Sequence, residues 1–211
     1  MKHPYRNCCV KIMKMLLLML CLFMLFGTTA QAKQEIPPLG QIRLTVDNIL
    51  TVLRDETLKS PDKNQERREK ILIEVDKRFD FEEMTRLALG SEWDKRNKKE
   101  QEEFIDLFKK ILENRYIGRV EAYSDEQVNF QDELIKGNKA LVSSVFSKNG
   151  QEMSVDYKLK KNSDNWLVYD VIIEKVSLIK NYRAEFAQII AKEEYAGLLK
   201  RLKGKVEQIS E

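Results

Sequence analysis

Apolar positions keep helical spacing from about residue 40, switch to strict alternation near residue 127, and return to helical spacing after residue 176. Ile42, Val46, Ile49, Leu50 and Leu53 predict an amphipathic helix over about 40–59, entered at Pro37-Pro38 and closed by Ser60-Pro61. A second helix starts near Gln65, with Ile71, Leu72 and Val75 as a narrow apolar side and Glu66, Arg67, Arg68, Glu69 and Lys70 as a solvated face. Asp80-Phe81-Glu82-Glu83 has the form of a capping box and opens a short helix through Met84, Leu87 and Ala88 that stops at Gly90. Asn97-Lys98-Lys99-Glu100 repeats that signal and starts the longest predicted helix, whose stripe is Phe104, Leu107, Phe108, Ile111, Leu112, Arg115, Tyr116 and Val120. Gly118 inside it predicts a kink or a close contact.

Four strands are predicted at 127–135, 139–147, 151–160 and 166–174, joined by turns at Gly137-Asn138, Asn149-Gly150 and Asn162-Ser163-Asp164-Asn165. In the third, Met153, Val155, Tyr157 and Leu159 face one way while Glu152, Ser154, Asp156 and Lys158 face the other, as in an antiparallel sheet with one wet side. In the fourth, Leu167, Tyr169, Val171 and Ile173 alternate and lead into a helical stripe of Leu178, Tyr182, Phe186 and Ile189. The expected fold is α+β: a helical part over 39–125, a four-stranded antiparallel sheet over 127–174, and C-terminal helices over 176–208, forming one domain from residue 33. Strand face and helix stripe share one apolar interior, and nothing there has the spacing of a catalytic or metal motif. That combination points to binding rather than chemistry.

The first 32 residues have another character. Lys2, Arg6, Lys11 and Lys14 precede the uncharged apolar run Met15 to Phe26, and Ala30-Gln31-Ala32 is a small-x-small site, so a secretory signal peptide cleaved after Ala32 is expected. The run is shorter than the ~20 residues that a spanning helix needs. Removing four of the 37 basic residues leaves 33 against 34 acidic ones, and the net charge moves from +3 to −1. The mixed charges that remain contain no basic block, which argues against a nucleic-acid partner. Cys8, Cys9, Cys21 and the single histidine, His3, all fall in the leader. The expected mature chain therefore has no disulfide, no Ser-His-Asp or Cys-His nucleophile system, and none of the ligands on which most zinc sites are built.

The segments FDFEEMTRLALGSEW (79–93), QEEFIDLFKKILENRY (101–116) and WLVYDVIIEKVSLIKNYRAEFAQIIAKEEYAGLLKRL (166–202) resemble the MlaC family, also called the toluene-tolerance auxiliary family, in the same order along the chain. One departure is Lys175, where the family commonly has a small residue, often Gly, at the bend after the last strand. The resemblance implies an NTF2-like curved sheet wrapped by helices around a deep apolar cavity for lipid acyl chains, with the head group near the mouth. It also implies a monomeric periplasmic phospholipid carrier without a cofactor or metal. Such carriers exchange lipid between an outer-membrane lipoprotein-porin complex and an inner-membrane ABC transporter carrying an MCE-domain ring, which maintains outer-membrane lipid asymmetry and solvent tolerance. Candidate lining residues are Phe108, Leu112 and Tyr116 on the long helix, then Val142, Phe146, Met153, Val155, Tyr157 and Leu159 on the middle strands. Tyr169, Val171, Ile173, Leu178, Tyr182 and Phe186 complete the set, with Tyr169, Tyr182 and Arg183 as candidates to meet a phosphate or glycerol oxygen at the mouth.

Without the resemblance these stripes read as ordinary core. An enzyme is the rival class, because NTF2-like cavities can house acid–base chemistry and Asp170 beside Tyr169, or Asp156 beside Tyr157, supply the residue types. Adjacent strand residues point to opposite faces, so neither pair acts across one pocket without a bulge. A carrier of another apolar ligand, hopanoid or sterol-like, and a protein-docking adaptor acting through the charged helices are the remaining alternatives.

Overall fold

Residues 35–122 and 127–210 are described by the computed structural model; the expected signal peptide over 1–32 and the last residues of the helical part, 123–125, lie outside them. Pro38 opens helix α1 (Pro38–Arg54) at its first turn, where a missing N–H leaves no hydrogen bond unmade. The chain then passes through two 3-10 turns, Glu56–Leu58 and Pro61–Lys63, so the helix expected to reach residue 59 ends five residues earlier. Helix α2 (Asn64–Arg78) follows and packs along α1.

Helix α3 (Phe81–Leu89) is capped as expected at one end only of its box. The Asp80 carboxylate accepts from the Glu83 N–H at 2.9 Å, but the Glu83 carboxylate turns to Arg86 and Lys160. The Asp80 N–H donates instead to the Val168 carbonyl at 2.9 Å, which ties the α2–α3 junction to the sheet. Helix α4 (Lys98–Glu121) has the complete reciprocal box between Asn97 and Glu100. Gly118 does not serve a close contact among the described residues, since a Cβ built there would meet none of them within 4 Å.

The sheet has five strands where four were expected: β1 (Gln127–Lys136), β2 (Lys139–Lys148), β3 (Gln151–Asn162), β4 (Asn165–Ile173) and the two-residue β5 (Val176–Ser177), antiparallel in sequence order. The extra strand exists because Glu174 and Lys175 form a two-residue hairpin turn with φ of 48° and 66°. Lys175 thus occupies the left-handed conformation that explains a glycine preference at this bend. Helix α5 (Leu178–Ser210) closes the fold; it is broken at Glu194, whose φ of 58° and ψ of −178° are not helical.

One expectation about β4 fails in its phase. Asp170 pairs with Lys158 while Val168 pairs with Leu159, so Tyr169 is an extra, unpaired residue and the strand carries a β-bulge. Trp166 and Val168 therefore share the inner face with Val171 and Ile173, and Leu167 and Tyr169 do not. The physical reason is the one-residue slip: with a side-chain period of two, an added residue inverts the alternation on one side of it.

Candidate functional site

The inner face of the sheet divides into a filled end and an open end. At the end carrying the β1–β2 and β3–β4 turns, Ala140, Val142, Leu159, Trp166 and Val168 pack with Ile42 of α1 into a closed cluster. Towards the β2–β3 turn the face is not filled. There Phe146, Met153, Val155, Tyr157, Val171 and Ile173 form one wall of a cavity of about 340 Å³.

Helices supply the opposite wall. α1 contributes Ile42, Thr45, Val46, Ile49, Leu50 and Leu53, a stripe at helical spacing that runs about 17 Å along its axis. α2 adds Ile71, Leu72, Val75 and Arg78; Phe79, Phe81, Met84 and Leu178 line the cavity from neighbouring segments. α4 closes it with Leu112, Glu113, Tyr116, Ile117, Arg119 and Val120. The stripe on α2 is narrow because that helix touches solvent on most of its circumference: of its four aliphatic residues Ile71, Leu72 and Val75 turn inward, while Ile73 is exposed.

Of the candidate lining residues, Leu112, Tyr116, Phe146, Met153, Val155, Tyr157, Val171, Ile173 and Leu178 lie on the cavity wall. Six do not. Val142 and Leu159 sit on the correct face of the sheet but in its filled end, where Trp166 occupies the space. Phe108, Tyr182 and Phe186 are buried in a second cluster between α3, α4 and α5. Their rings meet edge-on, with centroids 5.0 Å apart for Phe108 and Tyr182 and 5.4 Å for Phe108 and Phe186. Tyr169 is the bulge residue, turned off the inner face. None of the three residues proposed for the mouth reaches it: Tyr182 is in the helical core, and exposed Arg183 packs against Gly90 beyond the end of α3, its Nε 3.2 Å from where a Cβ would stand.

The bulge that would allow Tyr169 and Asp170 to cooperate is present, yet it does not make a catalytic pair in the cavity. The Asp170 carboxylate accepts from Ser177 Oγ at 2.7 Å, the Ile179 N–H at 3.1 Å and Lys158 Nζ at 3.2 Å, and so anchors the start of α5. Burial pushes the phenols of Tyr157 and Tyr182 up to about 12, which keeps them protonated across the range where acid–base work is done.

The charged residues in the wall are Arg119, Glu113 and Arg78. Arg119 and Met153, the latter 41% exposed, are the lining residues that are exposed, so they mark the mouth; the Arg119 guanidinium stands 5.6 Å from the Tyr116 ring. Glu113, 3.6 Å from Lys109, has its carboxyl raised above the ordinary value by burial. At the inner end, Arg78 is 9% exposed and held by neutral acceptors. Sequence reasoning recognised the α1 and α2 stripes as apolar but did not assign them to the wall, and it missed Arg78 altogether. The available signal was a stripe of five aliphatic positions with no second stripe of matching breadth to fill against it.

A curved antiparallel sheet and three helices enclosing an apolar, partly open cavity define a binding protein for apolar chains. The chain belongs to the MlaC protein family, whose sequence model matches residues 43–204. It is also similar to a solved structure of the phospholipid-binding protein from Ralstonia solanacearum in complex with a phospholipid, with a TM-score of 0.72 and 25% identity, covering 82% of this chain and 98% of that one.

Proposed function

We propose that the protein is a phospholipid carrier of the periplasm, exported by the leader that ends at Ala32 and working as a monomer with an NTF2-like fold. The observation that carries this reading is the cavity, with aliphatic and aromatic walls from α1, α2, α4 and the sheet, and only Arg78, Glu113 and Arg119 as charged residues among its described lining. Family membership and a similar structure that holds a phospholipid support the ligand class. Each methylene moved from water into such a wall gains about 0.8 kcal/mol, so acyl chains are held firmly without any reactive group.

The same magnitude governs release. A chain of many methylenes leaves for bulk water far more slowly than transport requires, so discharge needs a partner that shields it. The partners in this reading are an inner-membrane ABC transporter with an MCE-domain ring and an outer-membrane lipoprotein-porin complex. The charged surfaces at Glu66 to Lys70 and Asp94 to Glu103 are suited to transient docking, because rim charges speed encounter without adding much to affinity. Transfer of fluorescent phospholipid from loaded protein to vesicles tests this. Bare vesicles should receive lipid slowly and vesicles carrying the inner-membrane complex rapidly; equal rates on both reject partner-gated release.

A further inference from the structure

Arg78, the last residue of α2, is a cation sealed into the inner end of the cavity without a counter-ion. Its Nε donates to Thr45 Oγ1 at 3.2 Å, and its Nη1 donates to the Trp166 carbonyl at 2.8 Å and to Gln41 Oε1. All three acceptors are neutral, Nη2 makes no hydrogen bond to the described residues, and no carboxylate among them forms an ion pair with Arg78. Gln41, Ile42, Thr45 and Trp166, each under a tenth exposed, close this end around it. A buried guanidinium in such surroundings is costly unless a charge of opposite sign reaches it, and burial pulls this one below its ordinary value.

The wall leading to Arg78 is the apolar α1 stripe, so a group able to approach from the mouth must end a long apolar chain. It must also be small. A phosphodiester with glycerol and two chains would have to drag its polar bulk the length of that wall, whereas a carboxylate presents two oxygens at the tip of a single chain and matches a guanidinium edge. We propose that the cavity also binds a long-chain free fatty acid, carboxylate first, with Arg78 as its counter-ion and the chain along Ile42, Val46, Ile49 and Leu53. This rests on the cavity being a lipid site, the reading given above.

The test compares oleate with oleyl alcohol, which has the same chain and no charge, as displacers of a neutral fluorescent probe from delipidated full-length protein at about pH 8, where carboxylates are ionised. Wild-type protein should prefer oleate by about tenfold or more, Arg78→Met should remove that preference by weakening oleate far more than the alcohol, and Arg119→Gln at the mouth should leave the preference intact. Equal binding of the two ligands by wild-type protein overturns the proposal. So does a preference lost in Arg119→Gln and kept in Arg78→Met, which would put the carboxylate at the mouth. If Arg78→Met does not fold, wild-type protein loaded with carboxyl-labelled oleate decides by nuclear magnetic resonance: the bound carboxyl should titrate at lower pH than free acid and lie close to the Thr45 and Ile42 methyls, and a carboxyl far from both overturns it. Phospholipid uptake measured alongside separates the two readings. Uptake without an oleate preference ends this inference alone, and an oleate preference without uptake ends the phospholipid reading alone.

Discussion

Two regions of this molecule are both strongly apolar, and one is packed while the other is hollow. Between α3, α4 and α5, the rings of Phe104, Phe108, Tyr182, Phe186 and Tyr195 meet at centroid distances of 5.0 to 5.9 Å. Phe104 and Phe108 are fully buried there. Between α1, α2, α4 and the sheet, mainly aliphatic side chains with a few aromatic ones among them face one another across about 340 Å³. Aromatic residues four apart on facing helices, Phe104 and Phe108 against Tyr182 and Phe186, interdigitate, whereas Ile49, Val75 and Val155 are too short to bridge the gap that the curved sheet leaves. The solid region therefore supplies the stability that lets the other remain unfilled.

Single deletions on the two sides break or keep this contrast. Phe108→Ala should cost about 3–5 kcal/mol, because it opens a void in a filled core. Ile49→Ala, on a wall that already faces a void, should cost no more than about 1 kcal/mol, since little packing is lost. Denaturant unfolding of the delipidated variants measures both, and similar costs would mean that the cavity side is as tightly packed as the helical side.

Charge placed in the cavity gives the next largest effect. Val155 is 6% exposed on the inner face, so Val155→Glu must hydrate a carboxylate there or neutralise it, at a cost of several kcal/mol. The expected outcome is a protein that is folded by circular dichroism and takes up no phospholipid. A folded variant with normal uptake would move the ligand away from this wall.

Glu194 sharpens the comparison from the solid side. Its φ and ψ lie in a region that only glycine occupies without strain, and the break it makes in α5 is what brings Tyr195, Leu198 and Leu202 into the helical core. Glu194→Gly should raise stability by about 1–3 kcal/mol with lipid uptake unchanged, read from paired melting and binding curves; a destabilised variant would show that the break is not under strain.

Alkaline titration gives the smallest effect. Burial raises Tyr157, Tyr182 and Tyr195 from an ordinary 10.0 to about 12. Above pH 10 the unfolded chain releases these protons first, so their contribution is fully present below pH 10 and is lost as pH rises towards about 12. Tyr157→Phe should flatten part of that fall in melting temperature, and an unchanged slope would show that Tyr157 does not contribute.

The features legible in the sequence are those decided by local chemistry. The Asn97–Glu100 box, the stop at Gly90 and the hairpin turn at Asn149-Gly150, with φ of 51° and 78°, depend on residues within a few positions of each other. The bulge at Tyr169 was not legible, because alternation over Leu167, Tyr169, Val171 and Ile173 is unbroken in composition and the slip appears only against the partner strand. Nor does a stripe say whether the surface opposite fills its grooves: Phe108 and Phe186 carry the same signal as Tyr116, and pairing across α4 and α5 decides which are core. Arg78 ends a strongly charged helix and reads as one more solvated cation; only the approach of Gln41, Thr45 and Trp166 buries it.

Native protein recovered from a periplasm and extracted into organic solvent tests the central claim most directly. Lipid mass spectrometry should find phospholipid enriched over that in a control periplasmic protein, and the delipidated protein should take up labelled phospholipid. An extract without phospholipid, together with no uptake by the delipidated protein, would contradict the assignment of the cavity as a phospholipid site.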